Sequence, residues 1–203
     1  IATPARARGV FVEVKGAQTL AYVADDSGNG GGLQIIDVTD PANVGQVDGF
    51  GNLVNHIGSF GVSTAGGLAG GVIVRDDIAY VTDGNNGLLI IDVSDPTLPN
   101  GNLTLHKTVA TIGGAAIGLD IVGDFAYVAN REGGVQVIDI SDPFNASYDH
   151  TLQTPGIATG VKVVGNFAYV TDGTVGLQVI DLASGLIKNT FDTPGSARSL
   201  LVT

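Results

Sequence analysis

Short apolar runs separated by glycine, asparagine and aspartate repeat along the whole chain. In the clearest example, the runs 160–164 and 167–171 are separated only by Gly165-Asn166. A glycine-containing turn then leads into a third apolar run at 177–182, and 187–192 is long enough for a fourth strand. Runs of this length that are bounded by turn residues predict β-strands, and Gly-Asn between two of them predicts a hairpin. The pattern therefore predicts a unit of four short antiparallel strands.

This unit occurs four times. Its landmarks are a tyrosine in the second strand and an aspartate at the end of the third, at Tyr22, Tyr80, Tyr127 and Tyr169 and at Asp37, Asp92, Asp139 and Asp181. A period of roughly 40 to 60 residues that contains several strands is typical of a propeller or array, whose units are stable only together. We therefore predict an all-β fold, a β-propeller of four-stranded antiparallel blades. The repeats span about 6–42, 68–114, 115–156 and 157–196.

The apolar pattern within the strands indicates how the units pack. The third strands, such as LQVID at 177–181, are apolar at most residues instead of alternating cleanly. A sheet with one solvated face would alternate, whereas a sheet that is covered on both faces need not. The predicted blades therefore pack face to face against their neighbours.

The last residues repeat the start of the unit. Residues 197–202 align with 158–163 and also resemble 7–12. We therefore predict that four repeats are followed by the first strand of a fifth. Four repeats and one strand do not close a four-bladed ring neatly, so our hypothesis is that the chain is a contiguous piece of a larger propeller.

One stretch does not follow the repeat. A glycine-rich insertion, about 43–69, separates the first two repeats and contains Phe50, His56 and Phe60. Loops on a rigid scaffold often carry binding residues, so these three side chains form a candidate binding site. The alternative is that the aromatic residues fill a gap between blades, and the sequence favours neither interpretation. The first repeat also carries extra residues at 15–19, between its first two strands.

The units resemble the LVIVD repeats of bacterial and archaeal surface or secreted proteins, most clearly in GVKVVGNFAYVTDGTVGLQVIDL at 160–182 and GLDIVGDFAYVANREGGVQVIDISDP at 118–143. The resemblance covers nearly the whole chain. It implies a β-propeller with an extracellular or cell-surface location, and it implies no catalytic residues. A looser similarity to the YVTN type of propeller, which includes lactonase-like enzymes, leaves an enzymatic function as an alternative.

Composition narrows the possible partners. The 203-residue chain has a net charge of −11, and its acidic residues are almost all aspartate, which favours turns. Such a surface disfavours nucleic acid and anionic membranes, because both attract Lys and Arg. The sequence has no run of 18 apolar residues, so we predict no membrane insertion. Cysteine is absent, which excludes disulfides and thiolate chemistry.

The loop after the second strand of the first repeat approximates a calcium-binding loop. Asp25, Ser27 and Asn29 place oxygen atoms at alternate positions ahead of Gly30, an arrangement that lets oxygen ligands converge on a hard cation. The glutamate that completes such loops is replaced by Ile36. Ca²⁺ is therefore a candidate cofactor, and a glycine-rich turn without metal is the alternative.

The first strand of each unit is expected to line the central channel of the propeller. Its variable position holds Phe11 or Glu13, Ile73, Asp120, Lys162 and Leu201. Asp120 and Lys162 lie on neighbouring blades, so they can form an ion pair or contribute to a binding site in the channel. Most of the equivalent residues are apolar, whereas propeller enzymes usually supply several acids, histidines or arginines there.

A polar corner follows the third strand in three of the repeats, with the pattern Asp-x-Ser/Thr-Asp-Pro. Pairs of aspartates could bind cations. The alternative is architectural, because aspartates at a bend accept hydrogen bonds from backbone N–H groups two residues on. A feature present in most of the blades favours the architectural interpretation.

Three classes of function remain open. We predict a non-catalytic extracellular β-propeller that acts as a protein-interaction or surface scaffold, with a protein partner or self-assembly. The first alternative is a propeller enzyme, lactonase-like or a metal-assisted hydrolase, with its site at the channel mouth, although His56, His106 and His150 show no metal-binding spacing. The second alternative is a structural subunit that assembles through exposed strand edges.

Overall fold

The computed structural model describes residues 6–26, 32–44, 55–61, 69–95 and 103–202. These residues form sixteen β-strands and one short 3-10 helix. No helix within this part of the chain is long and apolar enough to cross a membrane.

The sixteen strands form four antiparallel sheets of four strands each, the blades. Blade 1 consists of β1 (Arg6–Lys15), β2 (Gln18–Asp26), β3 (Gly32–Asp37) and β4 (His56–Gly61). Blade 2 consists of β5 (Ala69–Arg75), β6 (Ile78–Asp83), β7 (Leu88–Asp92) and β8 (Thr104–Val109). Blade 3 consists of β9 (Gly118–Val122), β10 (Phe125–Ala129), β11 (Val135–Asp139) and β12 (Ser147–Leu152), with the 3-10 helix (Pro143–Asn145) before its last strand. Blade 4 consists of β13 (Gly160–Val164), β14 (Phe167–Thr171), β15 (Leu177–Asp181) and β16 (Leu186–Phe191).

Each blade is a meander in which every strand pairs with the next one along the chain. The predicted all-β fold of four-stranded antiparallel blades is therefore confirmed. The innermost strands β1, β5, β9 and β13 contact one another in this order, and the four sheets do not close into a ring.

The core lies between the blades. Separate clusters of buried apolar side chains join blade 1 to blade 2, blade 2 to blade 3 and blade 3 to blade 4. In β11, all four residues from 135 to 138 are buried. This confirms that blades pack face to face, and that an inner blade such as blade 3 is covered on both faces.

The structure corrects the extent of the first repeat. Residues 56–61, which the sequence assigned to the insertion, form β4 and pair with β3. The strand reads HIGSFG, so it lacks the apolar run that identifies a strand in the sequence. The fourth strands are the outermost ones, and β16 is exposed at every residue. Because solvent covers such strands, they need share no apolar pattern.

The extra residues at 15–19 lengthen the first hairpin. Phe11 lies opposite Tyr22, and the ladder continues for four more pairs to Lys15 opposite Gln18. In blade 3, the ladder continues for only two pairs beyond Tyr127. Blade 1 therefore projects further at this end than the other blades.

The end of the chain follows the path of the repeat without forming a strand. Ala197 bridges to Gly173, in the same way that Ala116 bridges to Gly84 and Ala158 to Arg131. Residues 198–202 belong to no strand. Leu200 nevertheless lies against the start of β13, since a Cβ on Gly160 would be 3.4 Å from Leu200 Cδ2. The predicted first strand of a fifth repeat is therefore not formed, although residues 198–202 follow its expected path beside β13, and no second strand of the described chain pairs with them.

The tight turn between β5 and β6 is made by Asp76 and Asp77, which both have positive φ, 52° and 61°. Aspartate tolerates this left-handed conformation better than most residues, but glycine adopts it without steric cost. At the position of Asp76 the other three hairpins have glycine, at Gly16, Gly123 and Gly165. Blade 2 therefore carries backbone strain that its neighbours avoid.

We expect Asp76→Gly to increase the free energy of unfolding by roughly 0.5 to 1 kcal/mol, because it relieves this strain and leaves the Lys15 to Asp77 ion pair intact. The reciprocal change Gly123→Asp is expected to destabilise by a similar amount. Urea denaturation of both variants measures the effect, and a loss of stability in Asp76→Gly would contradict it.

Candidate functional site

Asp120 and Lys162, which the sequence predicts to face the central channel, form a charged pair there. The residues opposite the four landmark tyrosines are Phe11, Ile73, Asp120 and Lys162. Lys162 Nζ lies 2.7 Å from Asp120 Oδ1, and the backbone N–H of Val163 donates to Asp120 Oδ2 at 2.7 Å. Asp120 is buried, whereas the Lys162 side chain is 43% exposed. The structure thus brings both predicted channel residues together as an ion pair, and the equivalent residues of blades 1 and 2 are apolar.

Glu13 lies two residue pairs beyond this level in blade 1, opposite Leu20. Its carboxylate accepts a hydrogen bond from the Tyr22 hydroxyl at 2.7 Å. Burial raises the pKa of the Tyr22 phenol, and the hydrogen bond to the Glu13 carboxylate adds to that effect. The Glu13 carboxylate therefore orients the landmark tyrosine of its own blade.

The candidate calcium ligand Asp25 lies at a position that recurs in each blade, at the end of the second strand or directly after it. Asp25, Asp83, Asn130 and Asp172 occupy this position, and all four are buried. Ser27 and Asn29 lie outside the described residues, so Ca²⁺ binding stays a prediction. Within the described ranges, no group of three or more His, Cys, Asp or Glu side chains could hold a metal ion.

The hydrogen bonds at this position tie the blade to its connections. The backbone N–H of Gly156, in the linker from blade 3, donates to Asp172 Oδ2 at 2.9 Å. In blade 3, Asn130 Nδ2 donates to the carbonyl of Ile112 at 2.9 Å, in the linker from blade 2. In blades 3 and 4 the position therefore anchors the linker that arrives from the preceding blade, which is an architectural role.

We expect Asp172→Asn to stabilise the protein at neutral pH. Burial raises the pKa of the Asp172 carboxyl, so the ionised side chain disfavours the folded state at any pH above that raised pKa. This cost is relieved as the pH falls through the folded-state pKa, and it vanishes below the unfolded-state value. The gain in melting temperature is therefore expected to be largest near pH 7 and to disappear near pH 3. A gain that is independent of pH would contradict the electrostatic cause.

His56 and Phe60 both lie on β4, away from the channel. His56 Nε2 is 2.9 Å from Gln34 Oε1 in the neighbouring strand, and burial lowers the pKa of the imidazole. Phe60 packs against the buried cluster between blades 1 and 2. These contacts favour the interpretation in which the aromatic residues of the insertion fill a gap. Phe50 lies outside the described residues.

The aspartates that follow the third strands make turns. Asp37, Asp92 and Asp139 each accept the backbone N–H of the residue two positions on, at 2.8 to 2.9 Å. Hydrogen bonds from the side chains of Thr39, Ser94 and Ser141 lower the pKa of each carboxyl, and these backbone hydrogen bonds add to the effect. Asp142 accepts the N–H of Phe144 in the same way at the start of the 3-10 helix. The architectural interpretation of the corner therefore agrees with the geometry.

A cavity of about 710 Å³ lies between blades 2 and 3, beside the β5–β6 turn. It contains His106, whose Nε2 is 3.4 Å from Asp92 Oδ2 and whose ring centroid is 4.3 Å from that of Phe144. The neighbouring acids Asp76 and Asp77 also line it. The sequence did not predict the contact between His106 and Asp92, because these two side chains come from different strands and share no local motif.

A second cavity, of about 670 Å³, lies where the innermost strands begin, at one end of the channel. We call it the mouth cavity. Three arginines line it, Arg8, Arg131 and Arg198. Sequence reasoning missed this feature, although Arg8 and Arg198 occupy the same repeat position, directly before the residue that starts the channel-lining segment.

Blade 1 has an open apolar face. Its innermost strand presents Val10, Val12 and Val14 on the side away from blade 2, which we call the leading face. Val10 is 65% exposed and Val12 is 54% exposed. The equivalent residues of blade 2, Val72 and Val74, are 6% and 5% exposed because blade 1 covers them.

Blade 4 has the matching open face on its other side, which we call the trailing face. Its side chains Tyr169, Leu177 and Val179 are all partly exposed. The equivalent side chains of blade 3 are at most 8% exposed because blade 4 covers them: Tyr127, Val135 and Val137. The difference between identical repeat positions shows that both ends of the array lack a covering blade among the described residues.

Comparison with known proteins agrees with this architecture. The apo structure of AztD from Citrobacter koseri superposes with a TM-score of 0.53 at 14% identity, over 95% of this chain and 48% of that chain. The computationally designed protein Ika8 superposes with a TM-score of 0.56 at 12% identity, over 97% of this chain and 52% of that chain. At these identities the likeness concerns the fold alone, and this chain spans about half the length of either structure. No curated protein sequence matches the chain.

The family comparison rests on the repeats themselves. The LVIVD repeat matches four segments, residues 12–48, 66–106, 113–148 and 155–185. Each segment contains the second and third strands of one blade, with the landmark tyrosine and the closing aspartate. The predicted resemblance is therefore confirmed, and the chain belongs to the LVIVD repeat family.

Proposed function

We infer that this chain is a non-catalytic β-propeller module that acts by protein interaction, and that its first partner is a second copy of itself. The observation that carries this proposal is the pair of open faces at the two ends of the blade array. Side chains that are buried in the inner blades are exposed on the end blades, and contiguous apolar surface of this kind marks an interaction site.

The two faces suit each other. Every junction within the chain is formed by the trailing side of one blade and the leading side of the next, through the same repeat positions. The trailing face of blade 4 and the leading face of blade 1 are therefore complementary by construction. In a dimer with a two-fold axis, the trailing face of each copy covers the leading face of the other, so both faces are buried at once. Closed two-fold assemblies are the commonest oligomers.

The number of blades supports a ring of two copies. This chain covers about half of each propeller-like structure that it resembles, 48% of one and 52% of the other. Two copies supply as many residues as either of those folds. In such a ring, β1 of the incoming copy takes the place of residues 198–202, which form no strand in the single chain.

The channel supports a binding role over a catalytic one. At the level of the landmark tyrosines, Asp120 and Lys162 neutralise each other, and Phe11 and Ile73 occupy the equivalent positions of blades 1 and 2. We also propose an extracellular or cell-surface location, which suits a cysteine-free, aspartate-rich chain of this repeat type.

Cysteine labelling tests the proposal directly, because the chain has no native cysteine. Val12→Cys places a thiol on the leading face, and Val122→Cys places a matched thiol on an inner blade, where Val122 is 42% exposed. We expect the labelling rate of the Val12→Cys thiol to fall as protein concentration rises, while that of Val122→Cys stays constant. A labelling rate of the Val12→Cys thiol that does not change with protein concentration would overturn the proposal.

A further inference from the structure

The mouth cavity is unusually basic for this protein. The whole chain has five arginines against 20 acidic residues, and three of the arginines line this one cavity. Among the residues that the structure describes, no aspartate or glutamate lines this cavity. The remaining lining residues are glycines, five apolar residues that include Ile117, Leu119 and Leu200, and four hydroxyl-bearing residues, Thr159, Thr174, Ser196 and Ser199.

Arg131 occupies a backbone position that blades 2 and 4 give to glycine. It follows the buried Asn130 and has φ = 48°, whereas Gly84 and Gly173 occupy the same position with φ = 51° and 58°. All three bridge to the linker that follows their blade. A residue with a Cβ costs roughly 1 kcal/mol in this left-handed conformation, so blade 3 carries a cost that blades 2 and 4 avoid. Local strain of this kind is typical of functional positions.

The contacts of Arg131 do not explain its presence. Its side chain makes an ion pair with the adjacent Glu132, at 3.4 Å, and both side chains are largely exposed, 44% and 58%. Exposed ion pairs of this kind contribute about 0 to 1 kcal/mol and so do not outweigh the strain. The backbone bridge to Ala158 would form equally well with glycine, as it does in the other blades.

Arg8 and Arg198 bring two further guanidinium groups to the same cavity from the two ends of the chain. They occupy the repeat position that is Gly70, Ile117 or Thr159 in the other copies. The guanidinium group presents a planar fork of N–H donors that matches carboxylate and phosphate oxygens. Three such groups around one cavity form a site for more than one negative charge.

We propose that the mouth cavity binds an oxyanion ligand that carries at least two negative charges, a polycarboxylate or a phosphate compound. Arg131 and Arg198 contact the oxyanion, and the serine and threonine hydroxyls of the cavity wall supply neutral donors. The site consists of residues of a single chain, so it does not depend on ring closure. Where a second copy displaces residues 198–202, its β1 brings Arg8 to the same repeat position.

Isothermal titration calorimetry at low ionic strength tests this site, with citrate and pyrophosphate as separate probes in metal-free buffer. We expect Arg131→Gly to weaken binding about tenfold, which corresponds to loss of one charge-assisted hydrogen bond. The double variant Arg8→Gln with Arg198→Gln removes the second guanidinium group whether the protein is a single chain or a ring of two copies, and we expect it to weaken binding at least tenfold. Lys188→Gln removes a charge on the outer strand β16 and is expected to bind as the unmodified protein does. Binding of citrate alone, pyrophosphate alone or both supports the site and identifies the oxyanion class.

Arg131→Gly separates a binding role from a structural one. Because glycine relieves the strained φ, this variant is expected to melt at a higher temperature than the unmodified protein while binding the probe more weakly. The proposal is overturned if neither probe binds, or if both arginine variants bind as tightly as the Lys188→Gln control.

Discussion

Replacement of Gly176 by alanine is expected to lower the free energy of unfolding by about 3 kcal/mol. Gly176 precedes β15 and has φ = 90°, a conformation that side chains with a Cβ rarely adopt. A Cβ at this position would overlap the carbonyl oxygen of Phe191 and would lie 2.9 Å from Thr193 N. Backbone strain and overlap with backbone atoms therefore add, and together they remove a large part of the stability of a typical domain, about 5 to 15 kcal/mol.

Gly165→Ala is the matched control for this variant. Gly165 also has positive φ, 57°, but a Cβ there meets nothing within 4 Å. We expect the control to lose only about 1 kcal/mol, the cost of the left-handed backbone. Urea denaturation of the two variants separates the strain from the overlap, and equal losses would mean that the close approach to β16 is not required.

Asp120→Ala is expected to destabilise the protein by about 2 to 3 kcal/mol. The substitution removes the acceptor of the Val163 N–H and leaves that donor buried without a partner. It also removes the partner of the Lys162 ammonium, a smaller effect because the Lys162 side chain reaches solvent. Asp120→Asn keeps an oxygen acceptor for Val163 and is expected to lose less. Thermal unfolding of the two variants measures the difference.

The double variant Asp120→Ile with Lys162→Leu tests whether the channel requires charge at all. Blade 2 has Ile73 at the position of Asp120, so the repeat accepts an apolar residue there. The double variant leaves the Val163 N–H without its acceptor, as Asp120→Ala does, but it keeps apolar side-chain volume in the channel and leaves no unpaired ammonium. We therefore expect it to cost somewhat less than Asp120→Ala alone. A double variant that unfolds more easily than Asp120→Ala would show that the ion pair has a role beyond filling the channel.

The glycines and tyrosines of the repeat explain why the fold could be predicted from the sequence. Gly176 and its equivalents must be glycine because the chain approaches the last strand so closely, and Tyr22 and Tyr80 are almost completely buried between blades. The same residue types therefore recur at these positions in the repeat units. The Asp120 to Lys162 pair could be predicted for the same reason, since the repeat aligns the two residues on neighbouring blades.

Features that depend on solvent or on distant parts of the chain left weaker signals. β4 is an outer strand with only partly buried side chains apart from Gly58, so its sequence carries no apolar run. The mouth cavity gathers Arg8, Arg131 and Arg198 from three parts of the chain, and only the bend of the blades around the channel brings them together. The open faces carry the same types of residue as the covered faces, so only the exposed fraction of their side chains distinguishes them.

The molecular mass of the isolated 203-residue chain in solution tests the proposed assembly most directly. Sedimentation equilibrium across a range of protein concentrations measures it without any substitution. We predict a mass of twice the 20.5 kDa of a single chain, because two copies cover each other's leading and trailing faces. A mass of 20.5 kDa at every concentration would contradict the account.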